Sequence, residues 1–446
     1  MKTIDKVSNT IATKPLTVIG MNMVELAEIK QIQDVRIKKN LLTVKAGLLL
    51  LCLFSSPVHA KNFYVCNDGS DSNRGSSPFE PWATFDFAMS RFGTLNAGDA
   101  ILFCRNGTFT SSYPRLYNSR CAADVPCTIA DYISPNVPSG SAELPVITSS
   151  GTSGVLNFQD GGNADHDEGY VIKNLSLKGK GAGSGIFLFN DVDYVTIDNV
   201  IIDGFGIGIY SAGANTANAG ANQVNENIEL RNSVIANNGG QGWLGNCNDC
   251  VINNNKFTNN GFTRKLVNHN IYVSGSNNSG ITIANNTLTQ SALVGGKCAG
   301  VSLVVDGVLN GLTIKDNIIF EAIGAAEQAC RGISVNSAVN SAYTIEDPFS
   351  NVMIASNKVT NVGNVGIGCV SCTDVQILDN IITHSQDFGF TAISVPVQTK
   401  DVDKPSRILI AGNFIDLLDR NDIGKQGIVA PAMDSGNMEL NDFIIH

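Results

Sequence analysis

Apolar residues recur along this chain in pairs two positions apart, each pair followed, after a break, by another. The pattern is apolar at i and i+2, a small residue, Asn or an apolar one at i+5, and apolar at i+7. It reads Tyr170/Ile172/Leu175/Leu177, then Val195/Ile197/Val200/Ile202, Ile228/Leu230/Ser233/Ile235 and Cys250/Ile252/Asn255/Phe257. It continues as Ile281/Ile283/Asn286/Leu288, Leu312/Ile314/Asn317/Ile319, Val352/Ile354/Asn357/Val359 and Val375/Ile377/Asn380/Ile382. Ile408/Ile410/Asn413/Ile415 and Met438/Leu440/Phe443/Ile445 complete ten copies with a mean period of about 30 residues. The i, i+2 spacing is strand alternation, and the step to i+5 marks a bend between two short strands. Every copy but the last is followed by one more short strand, usually opened by Gly, as at Gly185, Gly206, Gly300, Gly332 and Gly366. Short strands at this period, with no helical 3.6-residue pattern between them, predict an all-β solenoid, a right-handed parallel β-helix whose coils bury their apolar residues against one another. Six consecutive copies carry Asn at i+5 (Asn255, Asn286, Asn317, Asn357, Asn380 and Asn413). Stacked at one bend, these amides are expected to form a hydrogen-bonded column and to accept left-handed backbone there.

Composition narrows the class further. Hydrophobic residues make up 43% of the chain and charged residues 16%, so a core can form and wholesale disorder is excluded. Net charge is −10, and the first 60 residues hold eight Lys/Arg against four Asp/Glu, leaving the remainder more acidic still. Nucleic-acid binding driven by bulk charge is therefore excluded. Arg36, Lys38 and Lys39 precede an apolar run from Ala46 to Phe54 and a small-residue site ending at Val58-His59-Ala60, the three parts of a secretory signal cleaved after Ala60. The clean apolar run is too short to span a bilayer. Met21 or Met23 is an alternative start. The expected organisation is an N-terminal extension and signal over 1–60, a cap with the first coils over 61–150, and the β-helix over 151–446. Export to the periplasm or medium implies no membrane association after cleavage. Ten cysteines follow Cys52. Cys121 and Cys127 can close a small loop, while the Cys247/Cys250 and Cys369/Cys372 pairs admit disulfides, zinc or free thiols. Cys298 and Cys330 each lie two residues before a strand-opening Gly, and adjacent coils are about 4.8 Å apart, so a disulfide between them is expected.

The repeats resemble the right-handed β-helix families with the pectin-lyase-like fold, across about residues 62–446. Phe63–Gly75, Pro81–Thr84, Gly98–Phe103 and Gly107–Thr110 are similar to the N-terminal cap of many secreted bacterial β-helix proteins, which implies a plugging helix after the Trp82-Ala83-Thr84 stretch. Asp68, Asp71 and Asn73 leave calcium open, though Gly69 and Gly75 fit a turn more simply. No cofactor or metal is otherwise implied. Such a fold hosts lyases, epimerases, hydrolases and adhesins, so chemistry has to be argued from the site.

Three consecutive coils carry long loops before their last strand, over 250–270, 281–300 and 312–332, and these should stack into a wall. They also hold reactive side chains. If Ile271 and Val273 point inward, Asn270, Tyr272 and Ser274 point outward, with His269 just ahead. The next coil offers Lys297, Ser302 and Asp306; the third offers Arg331, Ser334 and Asn336. Abstraction of the proton beside a uronate carboxylate needs a cation, a base and an acid. Arg331 or Lys297, His269 and Tyr272 fill these roles, with Asn270, Asp306, Ser302 and Asn336 as sugar contacts. Hydrolysis needs two carboxylates, and Asp306 is the one acid in the set. Alginate epimerases of this fold carry Asp-Pro-His, where this chain has Val267-Asn268-His269. The expectation is a lyase or C5-epimerase of an acidic polysaccharide, with a non-catalytic polysaccharide-binding or adhesion protein as the alternative. Oligomeric state is left open.

Overall fold

The computed structural model describes residues 60–446 except 136–141, 161–168, 214–223, 337–348, 371, 397–405, 419–423, 430–437, 442, 443 and 446. Residues 1–59, which hold Cys52 and nearly all of the expected signal, and the acidic run Asp165, Asp167 and Glu168 lie outside the described residues. Ala60–His446 is one compact unit.

Each coil contributes three short strands, and each stacks in parallel on its counterparts above and below. The lead strands begin the repeats: Tyr170–Lys173, Val195–Asp198, Glu229–Arg231, Val251–Asn253 and so on to Met438–Asn441. Middle strands follow the bend and form a sheet of twelve described strands, from Thr108–Ser111 to Ile444–Ile445. Trailing strands close the coil, among them Ser184–Phe189, Ile207–Ala212, Trp243–Gly245, Ile333–Asn336 and Val365–Val370. In two coils the trailing strand runs without interruption into the next lead strand, as Ile271–Ala284 and Leu303–Lys315, joining those two sheets. The three stacked faces make a right-handed parallel β-helix, and all ten expected repeats have lead strands at or beside their starting residues.

Alternation sets the interior. One column runs Ile172, Ile197, Leu230, Ile252, Ile283, Ile314, Ile354, Ile377 and Ile410 in unbroken register. All are buried, each contributing roughly 1.5–3 kcal/mol of apolar burial. At the bend, the Asn column forms as expected. From Asn255 to Asn380 each Nδ2 donates to the Oδ1 of the Asn in the following coil and to a lead-strand carbonyl one coil back, as Asn317 does to Asn357 Oδ1 (3.0 Å) and Ile283 O (2.9 Å), while Asn413 Nδ2 donates to Ile377 O and Ala411 O. Each Oδ1 also accepts the backbone N–H of the bend residue before it, Ser233 for Asn255 and an Asn for the others, so the buried amide is fully satisfied. The left-handed residue is the one just before: Asn254, Asn285, Asp316, Ser356, Asp379 and Gly412, with φ between 52° and 64°. The column thus depends on side-chain hydrogen bonding, and the turn itself is made one residue earlier, where the side chain faces solvent.

At the N-terminal end, helix Phe85–Ser90 buries Phe85, Ala88 and Met89 on the first coils, with the Phe85 ring 5.6 Å from that of Phe103. Asp71 braces its start: Oδ1 accepts the N–H groups of Ala83 and Thr84 and Oδ2 accepts the Thr84 hydroxyl. Partial burial opposes its charge, but these bonds outweigh it and hold the carboxyl below its ordinary range. Its oxygens are committed to the turn. Gly75, at φ 70°, lies under the Trp82 ring, where a Cβ would sit 2.4 Å from the indole.

The ten cysteines pair as Cys66–Cys104, Cys121–Cys127, Cys247–Cys250, Cys298–Cys330 and Cys369–Cys372. The C-x-x-C pairs close on themselves, which removes them as zinc ligands.

Candidate functional site

The three long loops do stack. Leu266 N–H bonds Ala299 O, Cys298 N–H bonds Ala325 O, and Glu327 N–H returns to Cys298 O. Lys265 in the first loop reaches Glu327 in the third at 2.7 Å, across the second. Cys298–Cys330 ties second to third with a Cα–Cα distance of 5.3 Å. The residue level with Cys298 in the next coil is Ala326, and Cys330 comes back to it through a turn closed by Cys330 N–H to Glu327 O.

The trailing strands beside this wall place the expected residues in two groups. Ile271 and Val273 are buried in the core, while Tyr272 and Ser274 face outward and are half-buried. Ser274, Asp306 and Asn336 are register partners in successive coils. Asn336 Nδ2 donates to Asp306 Oδ1 at 2.7 Å, and Ser334 Oγ lies 3.1 Å from Asn336 Oδ1. The Tyr272 phenol meets the Asp306 carboxyl from the other side. Burial raises Asp306 above its ordinary value, against the bonds from Asn336 and Tyr272. Burial, then the Asp306 charge, raises the Tyr272 phenol to about 12, so it is protonated at neutral pH. Together Tyr272, Asp306 and Asn336 form a phenol–carboxyl–amide cluster open to the outside of the coil.

His269 is buried and packs edge-on against Tyr272, ring centroids 5.4 Å apart. Its Nδ1 accepts the Val301 N–H at 3.2 Å. Burial lowers its pKa to about 4. A neutral imidazole that accepts at Nδ1 carries its proton on Nε2, so neither nitrogen is free to take a proton. The expected base role of His269 is corrected accordingly: the ring props Tyr272 and can only donate.

Three further expectations are revised. Asn270 does not face outward; it is fully buried, with Nδ2 on Thr289 O (2.9 Å) and Oδ1 accepting Asn260 Nδ2 (2.9 Å). Ser302 is likewise buried, its Oγ without a hydrogen-bond partner. Both stand where the chain turns into the trailing strand, and there strict alternation has not begun. Arg331 and Lys297 are exposed but do not converge on the cluster. Arg331 lies five residues before Asn336, at most about 16 Å along the chain at roughly 3.3 Å per residue, with a bend at Gly332 between them. Its Nε points on to Asn364 Oδ1 at 3.3 Å. It borders a pocket of about 430 Å³ with Leu266, Val301, Gln328, Ala329 and Asn364, and Lys297 is not part of that lining. Lys297 sits in a small hairpin, opposite Val294.

Glu321, at the root of the third loop, is not marked by any sequence motif. It is buried, accepts the Gln290 N–H, and is driven by burial to a pKa of about 7. Its carboxylate lies within 4.8 Å of the sulfurs of Cys298 and Cys330, but sulfurs joined in a disulfide are not thiolate ligands. The only hint in the sequence is an acid directly after the apolar Ile318-Ile319-Phe320 run.

No protein-family model matches the chain. Over 151 residues it is 29% identical to a lacto-N-biosidase of Bifidobacterium longum subsp. longum, a stretch covering 33% of this chain and 8% of that protein. The chain thus spans only a small part of the curated relative it matches. The A-module of the Azotobacter vinelandii mannuronan C-5 epimerase superposes with a TM-score of 0.54 at 16% identity, over 81% of this chain and 90% of the module. A lacto-N-biosidase from Eubacterium ramulus superposes with a TM-score of 0.51 at 12% identity, over 86% of this chain and 68% of that one. At these identities the likeness establishes fold alone: the protein is a right-handed parallel β-helix of the pectin-lyase-like architecture.

Proposed function

We propose that the outer face of the trailing strands is a polysaccharide groove, and that the protein is a lyase or C5-epimerase acting on a uronate-containing chain. The observation that carries this is the Tyr272–Asp306–Asn336 cluster, a basic carboxylate and a protonated phenol side by side on a solvent-facing strip beside a wall of loops. Asp306 takes the proton at C5, its basicity increased by burial, and Asn336 orients it. Tyr272 supplies a proton to the opposite face or to the leaving oxygen, and His269 holds the phenol in place. Arg331, at the wall edge of the same face, meets the carboxylate of a neighbouring sugar. The similarity to a mannuronan C-5 epimerase is consistent with this chemistry, and the five disulfides are consistent with export.

The local match to a lacto-N-biosidase favours a second reading, hydrolysis of a glycosidic bond. That reaction needs two carboxyl groups roughly 5–10 Å apart, and Asp306 is the one acid in the described trailing strands. Incubation with alginate, pectate and mixed uronate polymers separates the readings. New absorbance near 230 nm or a changed uronate epimer ratio supports the proposal. New reducing ends without unsaturation transfer the protein to the hydrolases, and tight binding without either product makes it a binding protein.

A further inference from the structure

North of the cluster, toward the N-terminal coils, the same outward row of the trailing sheet carries Phe187, Tyr210 and Leu244 before reaching Tyr272, one residue per coil in continuous register. Phe189 lies beside Phe187 with ring centroids 5.4 Å apart and planes 22° from parallel, and Tyr210 follows at 5.3 Å and 34°. All are half-buried, so one side of each stays open to solvent. Core aromatics elsewhere in this chain, such as Phe158 and Phe257, are fully enclosed. The strands Leu156–Gln159, Ser184–Phe189, Ile207–Ala212 and Trp243–Gly245 contain no charged residue. At about 4.8 Å per coil, the step from Phe187 to Tyr272 covers three coils, roughly 14 Å, or two to three pyranose units.

We propose that Phe187, Phe189 and Tyr210 form a stacking subsite for neutral pyranose rings, so that the ligand is a heteropolysaccharide with neutral units flanking the uronate at Asp306. This rests on reading the face as a glycan groove. A half-open cluster of stacked and tilted aromatic rings presents apolar edges and outer faces that match the C–H face of a sugar. A homopolymer of uronates would bring two or three carboxylates onto the stretch from Phe187 to Tyr272, whose strands carry no cation, the exposed Arg115 of the same row standing two coils beyond Phe187; neutral units avoid that mismatch. Continuity with Tyr272 gives the strip a direction, with the chain lying along the coil axis.

Isothermal titration with neutral hexasaccharides (gluco-, manno-, xylo- and galacto-configured) and with hexagalacturonate tests this on the full chain. At least one neutral hexasaccharide should bind, with affinity reduced 10-fold or more in Phe187→Ala and Tyr210→Ala and unchanged in Lys358→Ala, an exposed position on the middle-strand sheet. Phe187→Leu and Tyr210→Leu, which keep apolar volume but lose the ring, should show the same loss at an unchanged melting temperature. Binding that survives these substitutions, or absence of binding by all four neutral probes, overturns the subsite. The readout is binding alone, so failure of the proton-transfer reading leaves it standing, and its own failure leaves that reading untouched.

Discussion

Burial changes what single side chains can do here. Asp306 and Tyr272 owe their shifted pKa values first to burial, and the amide of Asn336 fixes the carboxylate between them. Asp306→Asn and Tyr272→Phe should each lower turnover by roughly 10² or more, with circular dichroism and melting temperature unaltered. Wild-type activity should fall as the pH drops through the raised pKa of Asp306, and hold on the alkaline side until the phenol near pH 12. Glu321 has a consequence for stability rather than turnover. Its pKa rises from 4.5 unfolded to about 7 folded, so the folded state binds the proton more tightly. The associated stability is complete below pH 4.5 and is lost as pH rises through 7. At about 1.4 kcal/mol per unit, roughly 3 kcal/mol is involved. Glu321→Gln should therefore raise the melting temperature at pH 8 and leave it nearly unchanged at pH 4. A variant destabilised at pH 8 would contradict this.

At the scale of elements, the bend column and the wall carry different loads. Removing Asn317 leaves the Asn286 N–H and Ile283 carbonyl without partners in a buried bend. Asn317→Ala should cost about 2–4 kcal/mol in denaturant unfolding, whereas Asn254→Ala, on the exposed side of the turn, should cost about 1–2 kcal/mol, chiefly from placing Ala in left-handed backbone. The Cys298–Cys330 bond closes a 32-residue separation, worth about 3–4 kcal/mol by chain entropy. Cys298→Ser with Cys330→Ser should shift the urea midpoint accordingly, and a shift near zero would mean the loops hold each other without it. The strand positions and the Asn column were legible because alternation and a near-fixed period encode them directly. The first coils, such as Ala100–Cys104 and Cys127–Tyr132, are not legible as repeats, because they lack the Asn and the i+5 spacing.

At the scale of the whole molecule, stacking turns positions far apart in sequence into neighbours, and that is what assembles the groove. Tyr272, Asp306 and Asn336 could be brought together from sequence, since Asp306 and Asn336 are level on successive strands and Tyr272 stands two residues earlier in phase on the strand before. Asn270 and Ser302 could not be assigned, because alternation fails at the bend. His269 could not either: its protonation follows from the Val301 N–H, a contact made between coils. Arg331 and Lys297 share a wall in sequence, but Arg331 stands before the bend at Gly332 and its Nε turns to Asn364. Phe187 and Phe189 already showed the outward i, i+2 spacing, but no local motif marks such a pair as a surface. The central claim is that Asp306 removes the C5 proton of a uronate bound over this face. Nuclear magnetic resonance of alginate and mixed uronate polymers incubated with the protein in D₂O measures that step directly. The prediction is deuterium at C5, or C5–H loss with an unsaturated product, for the wild type and at least 100-fold less for Asp306→Asn. Deuterium uptake undiminished in Asp306→Asn, or none in the wild type, would contradict it.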